Sequence, residues 1–228
     1  MSQHVIETPS RPVAPVRGSS ATFPVRRIYC IGRNYAAHAV EMGHDPDREP
    51  PFFFQKNPDN IDFSGEFPYP PMSTDVHHEI ELVIALGRGG AYITIEDALD
   101  HVWGYGVGLD MTRRDLQGEA KKLGRPWEIG KAFERSAPMT PLIPASEIGH
   151  PTQGAITLKV NGQLRQAGDL NQMIWKTQEM IAYLSAHFSL AAGDLIMSGT
   201  PSGVGPVQRG DVLVGHIEGV DTLNVRVV

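Results

Sequence analysis

One nine-residue segment, 78–86, limits more than any other what this chain can fold into. In an extended conformation its side chains divide between two faces, Ile80, Leu82, Ile84 and Leu86 on one and Glu79, Glu81, Val83 and Ala85 on the other. This two-residue period is typical of a β-strand rather than of a helix with one apolar face. The segment therefore predicts a strand that is apolar on both faces and carries two carboxylates at one end.

Both acids of this segment project from the same face of the strand. The α carbons of Glu79 and Glu81 are expected to lie roughly 6.5 to 7 Å apart, so both carboxylates can reach one ion. The pair alone is more typical of a solvated strand face, because in water the repulsion stays below about 1 kcal/mol. In a partly buried site the repulsion reaches roughly 3 kcal/mol, and a cation would relieve it.

The surrounding sequence favours the buried alternative. Val83 and Ala85 continue the face of the two acids, and Asp110 ends a second apolar segment, 102–110, that is also predicted to be a strand. Three carboxylates supply only oxygen ligands, which suit Mg²⁺, Mn²⁺ or Ca²⁺ better than zinc or copper. The sequence therefore predicts a divalent-metal site formed by the two glutamates and Asp110.

A histidine and an acid three residues apart form a second candidate site. His38 and Glu41 lie on a helix predicted from Asn34 to Met42, where residues three apart are neighbours. A carboxylate in that position orients the imidazole and stabilises its protonated form, as a general base for water requires. An exposed ion pair would explain the same spacing, and it would contribute only a few tenths of a kcal/mol.

The composition favours a single domain rich in β-structure. The chain has 228 residues, of which 41% are hydrophobic, and its 24 Gly and 18 Pro indicate many turns. The net charge of -6 disfavours nucleic acid as a partner. One cysteine, Cys30, predicts no intramolecular disulfide, and no apolar run reaches the roughly 18 residues of a membrane span. We therefore expect a cytoplasmic protein with neither a membrane nor a nucleic-acid partner.

Further elements can be predicted along the chain. Residues 1–24 predict an extended amino-terminal arm and residues 25–228 the folded domain, in which the Pro- and Phe-rich segment 50–75 predicts a long packed loop. Thr112 and Asp115 predict a capping box that opens a helix toward residue 122. The remaining predictions are a strand at 27–31, a short helix at 95–101, a hairpin turning at Asn161-Gly162, a helix over 174–188 and strands at 213–217 and 223–227.

Five segments, in the same order and spacing, carry a resemblance to a known family. They are Ile-Gly-Arg-Asn-Tyr-Ala-Ala-His (31–38) with Glu41, His-His-Glu-Ile-Glu-Leu (77–82), Gly-Leu-Asp-Met-Thr-Arg-Arg-Asp-Leu-Gln (108–117), Gly-Lys-Ala-Phe (130–133) and Ser-Gly-Thr-Pro-Ser-Gly-Val-Gly (198–205). From residue 27 onward the chain resembles the fumarylacetoacetate hydrolase family, in particular its small single-domain members. The resemblance implies a mainly β (α+β) fold, a mixed β-roll or sandwich with short helices, that forms a homodimer.

The resemblance also implies roles for the two candidate sites. The three carboxylates of the predicted metal site would bind Mg²⁺ or Mn²⁺, and His38 with Glu41 would activate water. Large animal members of the family place a fourth carboxylate at the position of Ile31. Three carboxylates would therefore make up this protein's share of the metal ligands.

Four further residues acquire roles only through the resemblance. Lys131, Gln117 and Arg114 would stabilise the oxyanion that develops during hydrolysis. Thr200 would contact the carboxylate of the substrate. The glycine-rich segment around Thr200 lacks the Lys-Ser/Thr ending of a phosphate-binding loop, so it is not one.

Three segments, 51–56, 65–71 and 117–128, resemble fumarylpyruvate hydrolases within the family. This likeness implies metal-dependent hydrolysis of the carbon-carbon bond of an acylpyruvate, with fumarylpyruvate giving fumarate and pyruvate in gentisate-type aromatic catabolism. Fumarylpyruvate has a second carboxylate. Arg33 is the preferred partner for it, with Lys56 and Arg125 as alternatives.

Two other functions remain open from the sequence. The same metal site would suit an oxaloacetate decarboxylase or tautomerase, or a dienedioate isomerase, because these reactions also proceed through an enolate. A noncatalytic, metal-stabilised domain that binds a carboxylate ligand is the other alternative. Only the hydrolase requires the water base, so substitution of His38 separates hydrolysis from the reactions that proceed through an enolate without added water.

Overall fold

The fold is built on two β-sheets that pack face to face. The computed structural model describes residues 5–36 and 50–228, which contain eighteen strands and four α-helices. The strands are β1 (Val13–Pro15), β2 (Thr22–Pro24), β3 (Arg27–Gly32), β4 (Phe52–Lys56), β5 (Ile61–Asp62), β6 (Glu66–Phe67), β7 (Val76–His78), β8 (Ile80–Leu86), β9 (Val102–Leu109), β10 (Thr112–Arg113), β11 (Ala137–Pro138), β12 (Ile143–Pro144), β13 (Ala155–Val160), β14 (Gln163–Asp169), β15 (Asp194–Met197), β16 (Gly205–Pro206), β17 (Val212–Ile217) and β18 (Asp221–Val227). The helices are α1 (Arg114–Lys122), α2 (Glu128–Lys131), α3 (Ala145–Ile148) and α4 (Thr177–His187). The prediction of a mainly β fold with short helices is confirmed.

The larger sheet has six strands in the order β12-β9-β8-β15-β3-β4. Its neighbouring strands are antiparallel except for the parallel pair β15 and β3. Strand β8 lies in the interior of this sheet, hydrogen-bonded to β9 on one side and β15 on the other, and all seven of its residues are buried. The strand predicted from the alternating pattern is therefore an interior strand.

The second sheet has five strands in the order β14-β13-β17-β18-β6. Its first two strands form the predicted hairpin, in which Asn161 and Gly162 have positive φ angles of 51° and 78°. Two consecutive left-handed residues are what a tight hairpin turn requires, and Asn-Gly supplies them with little strain. The strands predicted at 213–217 and 223–227 are β17 and β18.

The main hydrophobic core fills the space between the two sheets. The face of β8 that carries Ile80, Leu82, Ile84 and Leu86 packs there with residues of β13, β17 and β18. Helix α4 closes the same core, because its buried residues include Met180, Ile181 and Leu184. The apolar face predicted from the sequence is therefore the face that joins the two sheets.

A smaller core covers the opposite face of the six-stranded sheet. Val83 and Ala85 pack there with Cys30, which is buried and unpaired. Strands β1 and β2 pair as an antiparallel hairpin and add Ala14 and Phe23 to this cluster. The division of the chain into an arm (1–24) and a catalytic domain (25–228) stays a prediction.

The prediction of a long loop over residues 50–75 is wrong in its first part. Strand β4 pairs with β3 in antiparallel register, with Phe52 opposite Gly32. The sequence hides this strand because Phe53 packs against the main core while Phe54 packs against the smaller one. With apolar residues on both faces, the two-residue period is not visible.

The predicted capping box before α1 is also wrong, although the helix itself forms. Thr112 lies in β10, and its hydroxyl accepts a hydrogen bond from Lys131 Nζ. Asp115 instead accepts hydrogen bonds from Ser73 Oγ (2.7 Å) and the Thr74 amide (3.0 Å). Tertiary partners have replaced the local capping interaction.

The short helix predicted at 95–101 is a single 3₁₀ turn, Ala98–His101. No helix in the described residues has the length and apolarity needed to cross a membrane.

Candidate metal centre and active-site pocket

Two adjacent strands bring the three predicted metal ligands together. Glu79 lies at the junction between β7 and β8, Glu81 is the second residue of β8, and Asp110 directly follows β9. Ile80 pairs with Leu109 in the antiparallel ladder, and the Asp110 amide donates to the Glu79 carbonyl over 2.8 Å. Backbone pairing therefore places the acid at the end of one strand beside the acids at the start of the other.

These three carboxylates form a buried acidic triad that could bind a metal ion. They are 6%, 2% and 0% exposed in chain order, and an oxygen from each lies within 4.8 Å of the others. Oxygens that bind one hard divalent ion lie roughly 4 to 5 Å apart at most, so the spacing fits. The oxygen-only donor set fits Mg²⁺, Mn²⁺ or Ca²⁺ as well.

Two cationic side chains contact Glu79 at one edge of the triad. Lys131 Nζ donates to Glu79 Oε2 over 2.9 Å and to Asp110 Oδ2 over 2.7 Å, and Arg114 donates to the other oxygen of Glu79. Lys131 ends helix α2, which lies close to α1 because Gly130 has no side chain. A β carbon at that position would lie 2.7 Å from Gln117 Cβ. Burial by itself lowers the pKa of Lys131, but the two carboxylates outweigh burial, so its pKa is raised and the ammonium stays charged.

A second buried lysine lies beside Asp110. Lys56 Nζ is 2.9 Å from Asp110 Oδ1, yet its three donors are used by the carbonyls of Met111 and Lys131 and by Ser136 Oγ. Among the described residues Asp110 Oδ1 consequently has a charged neighbour but no hydrogen-bond donor. A buried carboxylate oxygen in this state has lone pairs to offer a metal ion.

A glycine in the turn after β15 holds the third carboxylate. The Gly199 amide donates to Glu81 Oε2 over 2.8 Å. Gly199 has φ +88°, and a β carbon there would lie 2.8 Å from Asn34 Cβ, so no larger residue fits without displacement. Burial and then the charges of Asp110 and Glu79 raise the pKa of Glu81 well above its usual range. A divalent cation would favour the ionised form of this carboxylate.

The triad opens into a pocket of about 470 Å³, including its mouth. One wall is aromatic, because Trp127 packs edge-on against Phe52 with ring centroids 5.0 Å apart and also contacts Phe54. The Arg33 guanidinium lies 5.3 Å from the centroid of the Phe52 ring. The pocket thus combines an acidic floor with a wall that carries a cation.

The predicted site residues differ in where the structure places them. The pocket lining includes the triad and five further predicted residues, which are Arg33, Arg114, Gln117, Lys131 and Thr200. The water base His38 and its partner Glu41 lie outside the described residues. Their roles, and those of the pocket residues, stay predictions.

Two alternatives for the second substrate carboxylate do not line the pocket. Lys56 is 2% exposed and serves Asp110 instead, while Arg125 is exposed outside the pocket. His77 and His78 are not part of the acidic cluster either, because His77 pairs with Asp75 and His78 with Gln166. Of the three cations predicted for that carboxylate, Arg33 is therefore the one that lines the pocket.

Neither the burial of Lys56 nor the aromatic wall was predicted from the sequence. Lys56 ends the Phe-rich strand β4 and is buried. A lysine in a predicted loop is expected to be exposed, so this burial is not visible in the sequence. Trp127 had no periodic pattern around it. In the sequence, only the density of aromatic residues in 52–54 pointed to a packed surface.

The site has the donor chemistry of a divalent-metal enzyme. It combines a buried triad of carboxylates, which could bind a metal ion, with a lysine and an arginine in one pocket of a mainly β fold. Residues 27–228 match the family described as fumarylacetoacetate (FAA) hydrolase C-terminal, so the chain belongs to that family, whose members are enzymes. The family resemblance seen in the motifs is thereby confirmed.

Individual relatives carry two different activities in their names. The oxaloacetate tautomerase YcgM of Escherichia coli is 41% identical, with 93% of this chain and 97% of the relative covered. A fumarylpyruvate hydrolase of a Ralstonia species is also 41% identical, with 82% and 98% covered. The crystal structure of fumarylpyruvate hydrolase from Pseudomonas aeruginosa in complex with Mn²⁺ and pyruvate is 54% identical, with 99% of each chain covered and a TM-score of 0.96. Overall sequence similarity therefore establishes the family, and the two curated relatives at equal identity do not distinguish the activities.

Proposed function

We propose that this protein is a Mn²⁺- or Mg²⁺-dependent acylpyruvate hydrolase whose preferred substrate is fumarylpyruvate. The reaction adds water across the carbon-carbon bond next to the acyl carbonyl and yields fumarate and pyruvate. The observation that carries the proposal is the buried triad in contact with Lys131 inside one pocket. The 54% identity to the Pseudomonas aeruginosa enzyme with Mn²⁺ and pyruvate supports it.

The metal ligands in this proposal are Glu79, Glu81 and Asp110. A divalent ion bound there would supply Lewis-acid polarisation of the keto oxygen of the pyruvyl group. The ligand carboxylates are held in advance by Lys131, by Lys56 and by the Gly199 amide, so little reorganisation accompanies binding.

The remaining pocket residues bind and orient the substrate and stabilise charge. Thr200 binds the pyruvyl carboxylate, and Arg33 meets the distal carboxylate of the fumaryl group. Lys131, Gln117 and Arg114 stabilise the oxyanion at the attacked acyl carbonyl. His38, oriented by Glu41, removes a proton from the attacking water, and this step rests on the sequence motif alone.

A substrate panel tests the proposal directly. Fumarylpyruvate, maleylpyruvate, acetylpyruvate and oxaloacetate are each incubated with the protein and Mg²⁺ or Mn²⁺, and pyruvate formation is followed spectrophotometrically. We expect the fastest pyruvate release from fumarylpyruvate, and loss of activity with a chelator. No pyruvate from any acylpyruvate in the presence of metal would refute the hydrolase.

Oxaloacetate tautomerase is the second candidate, and the identity to the Escherichia coli tautomerase favours it. It predicts rapid keto-enol interconversion of oxaloacetate with no hydrolysis of acylpyruvates. The His38→Ala variant separates the two, because a hydrolase loses its water base whereas an enolising enzyme need not. His216→Ala is the matched control, since His216 is exposed on β17 and does not line the pocket.

Lys131 provides a further test of the hydrolytic mechanism. Removing an oxyanion donor costs roughly 3 to 4 kcal/mol of transition-state stabilisation, so Lys131→Ala should lower kcat about a hundredfold or more. Lys159→Ala, on the exposed side of β13, is the control and should leave kcat unchanged. Wild-type turnover by the Lys131 variant would remove this residue from the mechanism.

Cytoplasmic location, a homodimeric state and a role in gentisate-type catabolism are further parts of the proposal. A homodimer is tested by light scattering at micromolar protein concentration. A monomer mass that persists at this concentration would contradict it.

A further inference from the structure

A buried glutamine in the five-stranded sheet reaches across to the active-site pocket. Gln166 lies on β14 and is fully buried. Its Oε1 accepts hydrogen bonds from His78 Nδ1 (3.0 Å) and the Ile80 amide (3.1 Å). Its Nε2 donates to Thr200 Oγ1 (2.8 Å) and to the Pro201 carbonyl (2.9 Å). These four bonds use the full capacity of a carboxamide.

The four partners belong to the two segments that carry the metal ligands and the substrate contact. His78 and Ile80 flank Glu79, whereas Thr200 and Pro201 follow the glycine whose amide holds the carboxylate of Glu81. A single side chain therefore connects the β7–β8 junction to the turn after β15. Neither segment is bonded to β14 by the regular pairing of strands within its sheet.

The orientation of this carboxamide is fixed by backbone groups. The Ile80 N–H can only donate and the Pro201 carbonyl can only accept, so the oxygen and nitrogen of Gln166 cannot exchange places. As a result the Gln166 N–H donates to the Thr200 hydroxyl, which must accept. The hydroxyl hydrogen of Thr200 is then available to another group.

That other group lies in the pocket. Thr200 lines the pocket beside the acidic triad, and among the residues that the structure describes its hydroxyl has one hydrogen-bond partner, Gln166 Nε2. A threonine hydroxyl that accepts one hydrogen bond through one of its two lone pairs still has its hydrogen to offer to a ligand. It thereby favours a ligand group that only accepts hydrogen bonds, and a carboxylate is such a group.

Close backbone packing keeps this turn against β14. Gly203 has φ +92°, and a β carbon at that position would lie 2.0 Å from the Arg165 carbonyl. The turn can therefore approach the strand at the residue before Gln166 only because residue 203 has no side chain. This contact lies next to the hydrogen bond between Gln166 and Thr200 along both segments.

We propose that Gln166 is a positioning residue that makes Thr200 a hydrogen-bond donor to the ligand, and so selects ligands that present a carboxylate to the turn after β15. The inference rests on the proposed function in one respect, namely that the ligand is the pyruvyl end of an acylpyruvate. Gln166 does not touch the substrate and acts through Thr200.

A double-mutant cycle on ligand binding tests this inference. The four proteins are wild type, Gln166→Met, Thr200→Val and the double variant, and the probe is pyruvate in the presence of Mn²⁺, measured by calorimetry. Thr200→Val removes the hydrogen bond to the charged ligand and should weaken pyruvate binding about tenfold or more. Gln166→Met removes the donor that holds the Thr200 hydroxyl in its orientation and should weaken pyruvate binding in the same direction. In the Thr200→Val background, Gln166→Met should change the affinity less than about twofold, because the two residues act as one unit.

Kinetics on the best substrate gives a second readout. KM should rise in both single variants while kcat changes little, as expected when binding to the ground state and transition state weakens equally. A purely structural role would instead lower kcat, because fewer molecules would be folded, and would give the same fold-change in both Thr200 backgrounds. Gln163→Met, on the exposed part of the same strand, is the control and should bind as wild type.

Two outcomes would overturn the inference in different ways. Equal effects of Gln166→Met in the two backgrounds, with pyruvate bound normally by the wild type, would refute the role of Gln166 alone. No pyruvate binding by the wild type with Mn²⁺ would refute both this role and the proposed function. If Gln166→Met does not fold, Gln166→Glu at pH 8 replaces it, because the ionised carboxylate retains the acceptors for His78 and Ile80 but loses the donor to Thr200.

Discussion

The two faces of strand β8 are equally buried, but burial stabilises the protein on one face and costs free energy on the other. The face with Ile80, Leu82, Ile84 and Leu86 packs into the main core, and each such side chain contributes roughly 1.5 to 3 kcal/mol by leaving water. The other face begins with Glu81, whose ionised form costs several kcal/mol to bury. One strand therefore contributes to stability on one face and to the chemical site on the other.

The buried carboxylates of the acidic face are therefore stabilised by their charged and hydrogen-bonding partners, because burial alone disfavours them. The triad is surrounded by Lys56, Lys131 and Arg114, and the Gly199 amide holds Glu81. These contacts offset part of the desolvation cost, and a divalent cation would offset more. Substitutions on the two faces should consequently separate activity from stability.

The largest expected effect is the loss of activity in Glu81→Gln. The variant removes one charged ligand, and Lewis-acid stabilisation is worth several kcal/mol, so kcat/KM should fall roughly a thousandfold. The metal-free variant should nevertheless unfold at the same temperature as wild type or a higher one at pH 8, because a buried like-charge repulsion is removed. Activity assays and thermal unfolding in a chelator measure the two quantities.

The control for this prediction is Glu119→Gln on the exposed side of α1, which should change neither quantity. A large fall in the metal-free unfolding temperature of Glu81→Gln would show that the acid is needed for stability. The two faces of β8 would then not differ as described.

Leu82→Ala addresses the opposite face. The side chain is fully buried between the sheets, so its truncation should lower the free energy of unfolding by about 2 to 5 kcal/mol. Below the unfolding temperature kcat/KM should stay within a few-fold of wild type. Denaturant unfolding checks the first value, and Leu164→Ala, at a leucine that is 57% exposed, is the matched control. A large loss of activity at full folding would contradict the separation of the faces.

Gly199→Ala should have a smaller effect, and it should lower both stability and metal affinity. A left-handed conformation costs an alanine about 1 to 2 kcal/mol, and here the new methyl group also meets Asn34. Displacement of the amide that holds Glu81 should lower metal affinity about 10- to 100-fold. Gly210→Ala is the control, because Gly210 has φ +95° and, among the residues that the structure describes, nothing lies within 4 Å of the added β carbon. Equal metal affinity in both variants would exclude a role for the Gly199 amide.

The smallest effect concerns the pH dependence of the metal-free protein. Burial, followed by the charges of Asp110 and Glu79, raises the pKa of Glu81, so the folded state binds more protons than the unfolded state above about pH 4.3. Stability should therefore fall as pH rises from there through the raised pKa, by at most about 1.4 kcal/mol per pH unit for this group. Unfolding in a chelator should show this slope, and Glu81→Gln should reduce it. An unchanged slope in the variant would assign the pH dependence to other groups.

The sequence predicted the elements whose pattern is local. Strand β8 was visible because polar and apolar residues alternate at its acidic end, and the hairpin at Asn161 because Asn-Gly is a strong turn signal. Strand β4 was not visible, since Phe53 and Phe54 enter two different cores. The capping box at Thr112 failed because a distant lysine bonds its hydroxyl.

The candidate site divides in the same way. Periodicity placed Glu79 and Glu81 on one face, the end of the apolar segment 102–110 pointed to Asp110 as the third acid, and the motifs identified the family. Burial of the triad was not determined by the pair itself, for which a solvated strand face was the more typical explanation. Its depth depends on β9, β15 and the turn after β15, which are far away in the sequence.

From its local pattern, therefore, the sequence predicted the three carboxylates and the strand that carries two of them. The burial of these acids, the position of Lys56 beside Asp110 and the hydrogen bonds from Gln166 to the two segments of the site depend on the tertiary fold. The side-chain period of a strand can be predicted because it depends only on residues that are adjacent in the chain. The desolvation and hydrogen bonding of a buried charge depend on partners such as Lys131, 52 residues from Glu79 in the chain, which only folding brings into contact.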